Sequence, residues 1–409
     1  MPKNNKLTSK QSVLMLSALL TALVVTMPEM CMPVLFKEIS DELSLNLVEI
    51  GTVWGIVPLG SVVFLFVGGV LCDRFGVKRA MGVACLLAGA AGAMRGLSSG
   101  FASLVAFSFL FGIVASIIPV GVMKACRIWF TSRQLGFATG VIVTGGGIGA
   151  AIGSMLSATI LSPLLGGWRN VMFLYGAISV ALGIIWLLTI KETKDARTTE
   201  YKNTVPARQA ILHVLPIKAV WLIGLNLCAY VGSMKAIMGY MPLYLREIGW
   251  SPVSADGALT VFTLMTIIGA IPLTLLSDKL GRRKAVLFPA ILIAIICTGL
   301  LPITSGNAFL WGIFILLGLF HQVYIALTNT MVLEIEEIGV DHAGMALGLA
   351  LTLQRIGAFI APPIGNSLAA INLGMPFAFW SILFVFGALI LIFVKETGWK
   401  AKIEKRAVL

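Results

Sequence analysis

Four side chains able to do chemistry stand inside otherwise apolar stretches: Glu29, Lys235, His321 and Arg355. A charge at a bilayer centre costs roughly 2.5–3.5 kcal/mol on insertion scales, so each such residue needs a reason. A guanidinium offers a planar fork of donors that suits a carboxylate or similar oxyanion, which makes Arg355 a candidate contact for an anionic solute. The alternative is a structural pair with Glu29 or with backbone carbonyls. Lys235 lies on a helical face with Cys228, Val231 and Met238; it is a second candidate contact, or it snorkels outward. His321 shares a face with Tyr324 and Thr328, a polar lining for a solute, although a lone interior histidine satisfied by its neighbours would look the same. Glu29 stands between Pro28 and Met30. Burial raises a carboxyl pKa and a nearby cation lowers it, so a site whose charge environment changes between conformations would take up and release a proton there. The competing reading is a permanent ion pair with Arg355 or Lys235. Lys124 and Arg127, one turn apart at the end of an apolar stretch, are borderline.

Other chemistry is missing. No Ser/His/Asp or Cys/His set at workable spacing lies in the apolar stretches, so no catalytic residue is expected and the chain reads as no enzyme. The six cysteines (Cys31, Cys72, Cys85, Cys126, Cys228, Cys297) have no paired spacing, which argues against metal ligation and a disulfide framework. Gly145-Gly146-Gly147 has neither strand nor Lys beside it, so it is no phosphate loop. No cofactor is expected, and active transport would have to draw on an ion gradient.

The elements that must position these residues are membrane spans. The 409 residues are 58% hydrophobic and 12% charged, about half the charge of a water-soluble chain. Apolar runs fall near 12–36, 48–72, 80–97, 101–126, 136–164, 170–190, 218–244, 254–276, 285–303, 308–333, 343–370 and 376–394. Each is long enough to cross a hydrocarbon core about 30 Å thick. With both termini cytoplasmic, most Lys and Arg fall in tails and inner loops, leaving Lys37, Arg95, Arg169 and Arg246 outside. The net charge of +12 is therefore topological, and nucleic acid is excluded as a partner. The polar stretch 191–217 divides a bundle over 1–190 from a second over 218–409, which ends in a short basic tail.

The two halves repeat. MPVLFKEI at 32–39 matches MPLYLREI at 241–248; Asp73-Arg74-Phe75-Gly76 matches Asp278-Lys279-Leu280-Gly281; Gly140, Thr144, Ile148 and Gly149 match Gly348, Thr352, Ile356 and Gly357. The order is kept and the spacing is nearly constant, so the halves are parallel repeats, related by an axis along the membrane normal. Gly145, Gly149 and Gly153 recur every four residues, with Gly357, Ala361 and Gly365 as their counterparts, a spacing that permits close helix approach.

The loop Gly69-Val70-Leu71-Cys72-Asp73-Arg74-Phe75-Gly76-Val77-Lys78-Arg79, with its degenerate copy Asp278-Lys279-Leu280-Gly281-Arg282-Arg283-Lys284, resembles the signature of the major facilitator superfamily. The resemblance implies an all-α membrane fold of twelve transmembrane helices in two pseudo-symmetric six-helix bundles. It implies alternating access, with spans 1, 4, 7 and 10 lining a central cavity and 5 and 11 contributing. Asp73, Arg74, Gly76, Arg79, Asp278 and Arg282 then form a conformational latch; without the family, the basic residues would only enforce topology. Many members carry an Arg in span 4, four residues before a Gly; here Ser108 precedes Gly112, so coupling schemes built on that Arg do not transfer.

Two deep cations and a histidine outweigh one deep acid, and an anionic solute would balance the surplus. The expectation is a secondary active transporter of a small organic anion, a carboxylate, either proton-coupled through Glu29 or an exchanger with a counter-anion. Arg355, Lys235, His321 and Tyr324 would bind the solute. The alternative is proton-driven efflux of lipophilic cations or drugs, with Glu29 as counter-ion. The expected setting is a bacterial-type inner membrane, with the protein a monomer in the lipid bilayer.

Overall fold

The computed structural model describes residues 9–130, 132–189, 207–304 and 306–400. Among these residues the regular structure is helical: α1 (Ser9–Leu43), α2 (Leu47–Phe75), α3 (Val77–Met94), α4 (Phe101–Ala115), α5 (Ile117–Trp129), α6 (Ser132–Leu156), α7 (Ser162–Leu165), α8 (Trp168–Thr189), α9 (Ala207–Val214), α10 (Lys218–Glu247), α11 (Pro252–Leu280), α12 (Lys284–Leu300), α13 (Asn307–Glu334), α14 (Gly339–Ser367) and α15 (Met375–Phe393). Eleven described segments are long and apolar enough to cross a bilayer. The twelfth span is α2, apolar over Leu47–Val62 and helical to Phe75. Helices dominate because a spanning backbone must satisfy its N–H and C=O groups internally.

Two spans are interrupted, each for a local reason. Ser116 separates α4 from α5, its hydroxyl donating to the Ile113 carbonyl at 2.7 Å. Between α6 and α7, residues Ser157–Leu161 form a π turn. Pro163 has no N–H for the carbonyl four residues back and its ring crowds that carbonyl, so the helix widens ahead of it. Ser157 fills the widened turn, bonding to Gly153 O at 2.6 Å and to the Tyr175 hydroxyl at 2.8 Å. Of the stretch read as a linker, residues 191–206 lie outside the described residues, and 207–214 form α9.

By contact the chain separates into two compact units, one of residues up to Ser44 plus Gly60–Thr199, the other of Leu45–Leu59 plus the chain from Glu200. The first half of α2 therefore packs with the second unit. In the first unit α1 lies along α6 and α3 along α8. A Cβ on Gly145 would meet Leu19 O at 2.8 Å and one on Gly153 would meet Met27 O at 2.5 Å, while Thr26 donates to Gly146 O at 2.8 Å. Lipid offers no hydrophobic drive for helix association, so this backbone-to-backbone approach supplies dispersion contacts that larger residues would forbid. Gly89 and Gly176 do the same for α3 and α8.

The second unit repeats the plan with α10 along α14. Gly224 faces Ala350 and Leu353, and Gly232 faces Gly357 and Ala361, so these helices run parallel. The two signature loops also agree: Gly76 (φ 80) precedes α3 and Gly281 (φ 68) ends α11, each in the left-handed region that favours glycine.

Candidate functional site

In the first unit Glu29 is half-buried in α1, between two helix-interior prolines, Pro28 and Pro33. The residue that meets this stretch was expected outside. Arg95, counted above with the outer cations, is 1% exposed, and its Nη2 donates to Pro28 O at 2.9 Å. Helix α3 ends in a 3-10 turn over Arg95–Leu97 that folds the side chain inward against α1 and α4. Arg169 and Arg246 do sit at span ends. Arg169 donates to Glu42 at 2.8 Å and to the carbonyls of Gly96 and Ser98, and Arg246 pairs with Asp256 at 2.6 Å.

In the second unit the parallel register of α10 and α14 places Arg355 between the levels of Gly224 and Gly232, the same stretch that carries Tyr230. Arg355 is half-buried there, beside the buried Gln354. Tyr230 stacks on Tyr324 of α13 with centroids 3.7 Å apart and on His321 at 5.9 Å, and His321 tilts against Phe262 of α11 at 5.6 Å. The fully buried Tyr324 donates its hydroxyl to Asn226 Oδ1 at 2.9 Å, and Asn226 Nδ2 donates to Gly387 O at 2.8 Å. The Tyr230 hydroxyl and the His321 Nδ1 are buried without a hydrogen-bond partner. Both can bond to a further polar group that comes within reach. Arg355, His321 and Tyr324 are thus drawn to one level of the unit, with Tyr230 and Asn226 as members that the sequence reading passed over.

Lys235 stands further along α10. It is buried, so it does not snorkel. Its ammonium lies 3.4 Å from the centroid of the Trp54 ring, supplied by the first half of α2, and Trp54 Nε1 donates to Lys235 O at 2.6 Å. Gly51 and Gly55 let α2 approach the α14 backbone at Phe359, Pro362 and Pro363 closely enough for that contact.

Of the residues expected to form a latch, the side chain of Asp73 lies outside the described residues; Arg74 and Arg79 are exposed, and Gly76 caps α3. In the second copy Asp278 pairs with Arg283, while Arg282 is exposed. Arg283 also grips Glu334 of α13 through Nη2 at 2.8 Å and Nε at 3.3 Å. Glu334 accepts from Thr397 at 2.8 Å, and Glu396 accepts the backbone N–H groups of Arg283 and Lys284 at 2.8 and 3.0 Å. Glu334 first, and then Asp278, push the Arg283 pKa above its ordinary value. Among the described residues no group of three or more His, Cys, Asp or Glu could hold a metal ion, and the six cysteines are free thiols.

A family model described as the Major Facilitator Superfamily matches residues 14–259 and 223–407. A probable nitrate/nitrite antiporter of Thermus thermophilus is 22% identical over 90% of this chain and 87% of its own. The hexuronate transporter of Bacillus subtilis is 25% identical over 63% of each chain, and a probable sulfoacetate transporter of Cupriavidus necator is 23% identical over 87% of each. Among solved structures, a bacterial homolog of the human lysosomal transporter Spinster aligns with a TM-score of 0.77 at 14% identity, covering 97% of this chain and 99% of that one. The nucleoside transporter NupG aligns at 0.80 and 12%, covering 93% and 100%. These structural likenesses speak for the fold.

Proposed function

The chain belongs to the major facilitator superfamily, a multi-pass membrane transporter and not an enzyme, and from that premise we propose secondary active transport of a small organic anion, a carboxylate. The observation that carries the reading is the placement of Arg355 and Lys235, one half-buried and one buried, on the closely packed pair α14 and α10. A cation held in a span favours a solute of opposite charge, and a guanidinium favours one with two oxygens in a plane. The names of the relatives add support: nitrate/nitrite, hexuronate and sulfoacetate are all anions.

Arg355 binds the oxyanion, with His321 and the Tyr230 hydroxyl as further donors at the same level. Lys235 contributes its field from its seat on Trp54. Coupling is to protons, with Glu29 the carrier and His321 its competitor, or to a counter-anion. Asp278, Arg283 and Glu334 form the inner latch, mirrored by the loop of Asp73, Arg74, Gly76 and Arg79. The protein works as a monomer in a bacterial-type inner membrane with both termini cytoplasmic.

The direct test is a thermal-shift screen of the purified protein against monocarboxylates, hexuronates, sulfonates, nitrate and lipophilic cations. A bound ligand stabilises by mass action. A carboxylate should raise the melting temperature of the parent and not of Arg355→Ala. Stabilisation by the cations alone would favour drug efflux instead.

A further inference from the structure

Arg95 carries a full charge into the interior of the first unit, and its hydrogen bonds and ring contact do not balance it. Nη2 donates to Pro28 O at 2.9 Å, Nε donates to Gly92 O at 3.3 Å, and the guanidinium lies 4.3 Å from the centroid of the Phe111 ring. Two carbonyls and a ring supply dipoles and a quadrupole but no net charge. Nη1 is buried with no hydrogen-bond partner. A buried cation of this kind is strongly disfavoured unless an anion answers it.

The carboxylate within electrostatic reach is Glu29, the residue directly after the Pro28 whose carbonyl Arg95 holds. The other titratable group acting on Arg95 is the Cys31 thiol, two positions further along α1. We propose that Arg95 is the counter-charge of Glu29, a positioning residue that anchors α1 at Pro28 and presents Nη1 to the carboxylate. The pair then carries no net charge into the span. The pairing also sets what Glu29 must give up before it can change its charge, and it stands whether or not Glu29 carries the coupling proton.

The test is a double-mutant cycle on the full chain, read first as folded yield and melting temperature in detergent, which do not depend on transport. Arg95→Gln leaves the half-buried Glu29 carboxylate uncompensated inside a span and should cut the folded yield by about fivefold or more. Glu29→Gln/Arg95→Gln should recover most of that loss, and Arg95→Lys should retain most of the parent yield. Solute exchange in proteoliposomes adds a charge-specific readout. With Glu29 present, Arg95→Lys should exchange faster than Arg95→Gln; in the Glu29→Gln background that advantage should vanish or reverse, because the lysine is then the unanswered charge. A double variant no better folded than Arg95→Gln alone, or an Arg95→Lys advantage that persists without Glu29, would overturn the pairing.

Discussion

The ammonium of Lys235 rests on the face of Trp54, 3.4 Å from the ring centroid, while the indole N–H of Trp54 donates to the carbonyl of that same lysine at 2.6 Å. The two residues thus hold each other by two contacts in a buried setting. Gly239 makes the room, since a Cβ there would run into the indole. A desolvated cation–π contact is worth about 2 kcal/mol. Trp54→Phe, which keeps a ring but loses the N–H, should lower the melting temperature modestly, and Trp54→Ala much more. Lys235→Met should cost less in the Trp54→Ala background than in the parent, because the ring contact it would remove is already gone. Melting curves of the four proteins measure this, and simple additivity would show that the contact is incidental.

The glycine stripe of α6 separates packing from mere composition. A Cβ on Gly149 would strike the Leu23 carbonyl and Thr26 of α1, whereas one on Gly140 meets nothing within 4 Å. Gly149→Val should therefore cost on the order of 2 kcal/mol or more and sharply reduce folded yield. Gly140→Ala should lie within about 0.5 kcal/mol of the parent. Equal behaviour of the two variants in fluorescence-detected size exclusion would remove the close-packing explanation.

Much of this was legible in the sequence because its cause is local. The apolar runs, the repeated MPVLFKEI and MPLYLREI segments and the loop glycines at positions 76 and 281 each follow from span length or backbone conformation. What was hidden depends on where a side chain turns at the end of a span. Arg95 fell inside the run drawn as 80–97 yet was counted as an outer charge; only the 3-10 turn after α3 directs it inward. Arg282 and Arg283 are indistinguishable by type, and the turn after Gly281 gives the half-buried partnership with Glu334 to Arg283. Trp54 offered a faint signal, a large ring among Gly51, Gly55 and Gly60, but its lysine lies 181 positions away.

The Arg283–Glu334 network predicts a kinetic defect without a binding defect. Glu334→Gln removes the negative charge that Arg283 grips and one of the two acceptor oxygens that Arg283 and Thr397 share. It should slow turnover by about threefold or more and leave ligand affinity within about twofold, since the network lies away from the Arg355 level. The pH dependence has a definite sign. A raised folded-state pKa makes the Arg283 contribution complete below the unfolded value and lost only as pH rises through the folded one. That range is more alkaline than any assay, so Arg283 adds no pH dependence between about pH 5 and 9. Stopped-flow turnover with parallel ligand titrations checks both statements.

Proton coupling, if present, has two candidate carriers. Glu29→Gln keeps the shape of the side chain but cannot release a proton, and His321→Gln does the same for the imidazole. The variant of the coupling residue should still exchange labelled for unlabelled solute in proteoliposomes. It should fail to accumulate solute against an imposed pH gradient, because accumulation requires a proton to load on one side and leave on the other. Glu29→Gln is expected to show this split. If both variants accumulate solute like the parent, anion exchange is the mechanism.

Anion transport through Arg355 is tested most directly by uptake of a labelled small carboxylate into proteoliposomes holding the purified parent, Arg355→Lys or Arg355→Ala. The parent should take up the anion above protein-free vesicles. Arg355→Lys keeps the charge and loses the fork, and uptake should fall at least about tenfold, since one good charge-assisted bond is worth on the order of 1.5–3 kcal/mol. Arg355→Ala should fall to background while reconstituting as well as the parent. Undiminished uptake by a well-folded Arg355→Ala protein, or movement of lipophilic cations and of no anion by the parent, would contradict the assignment.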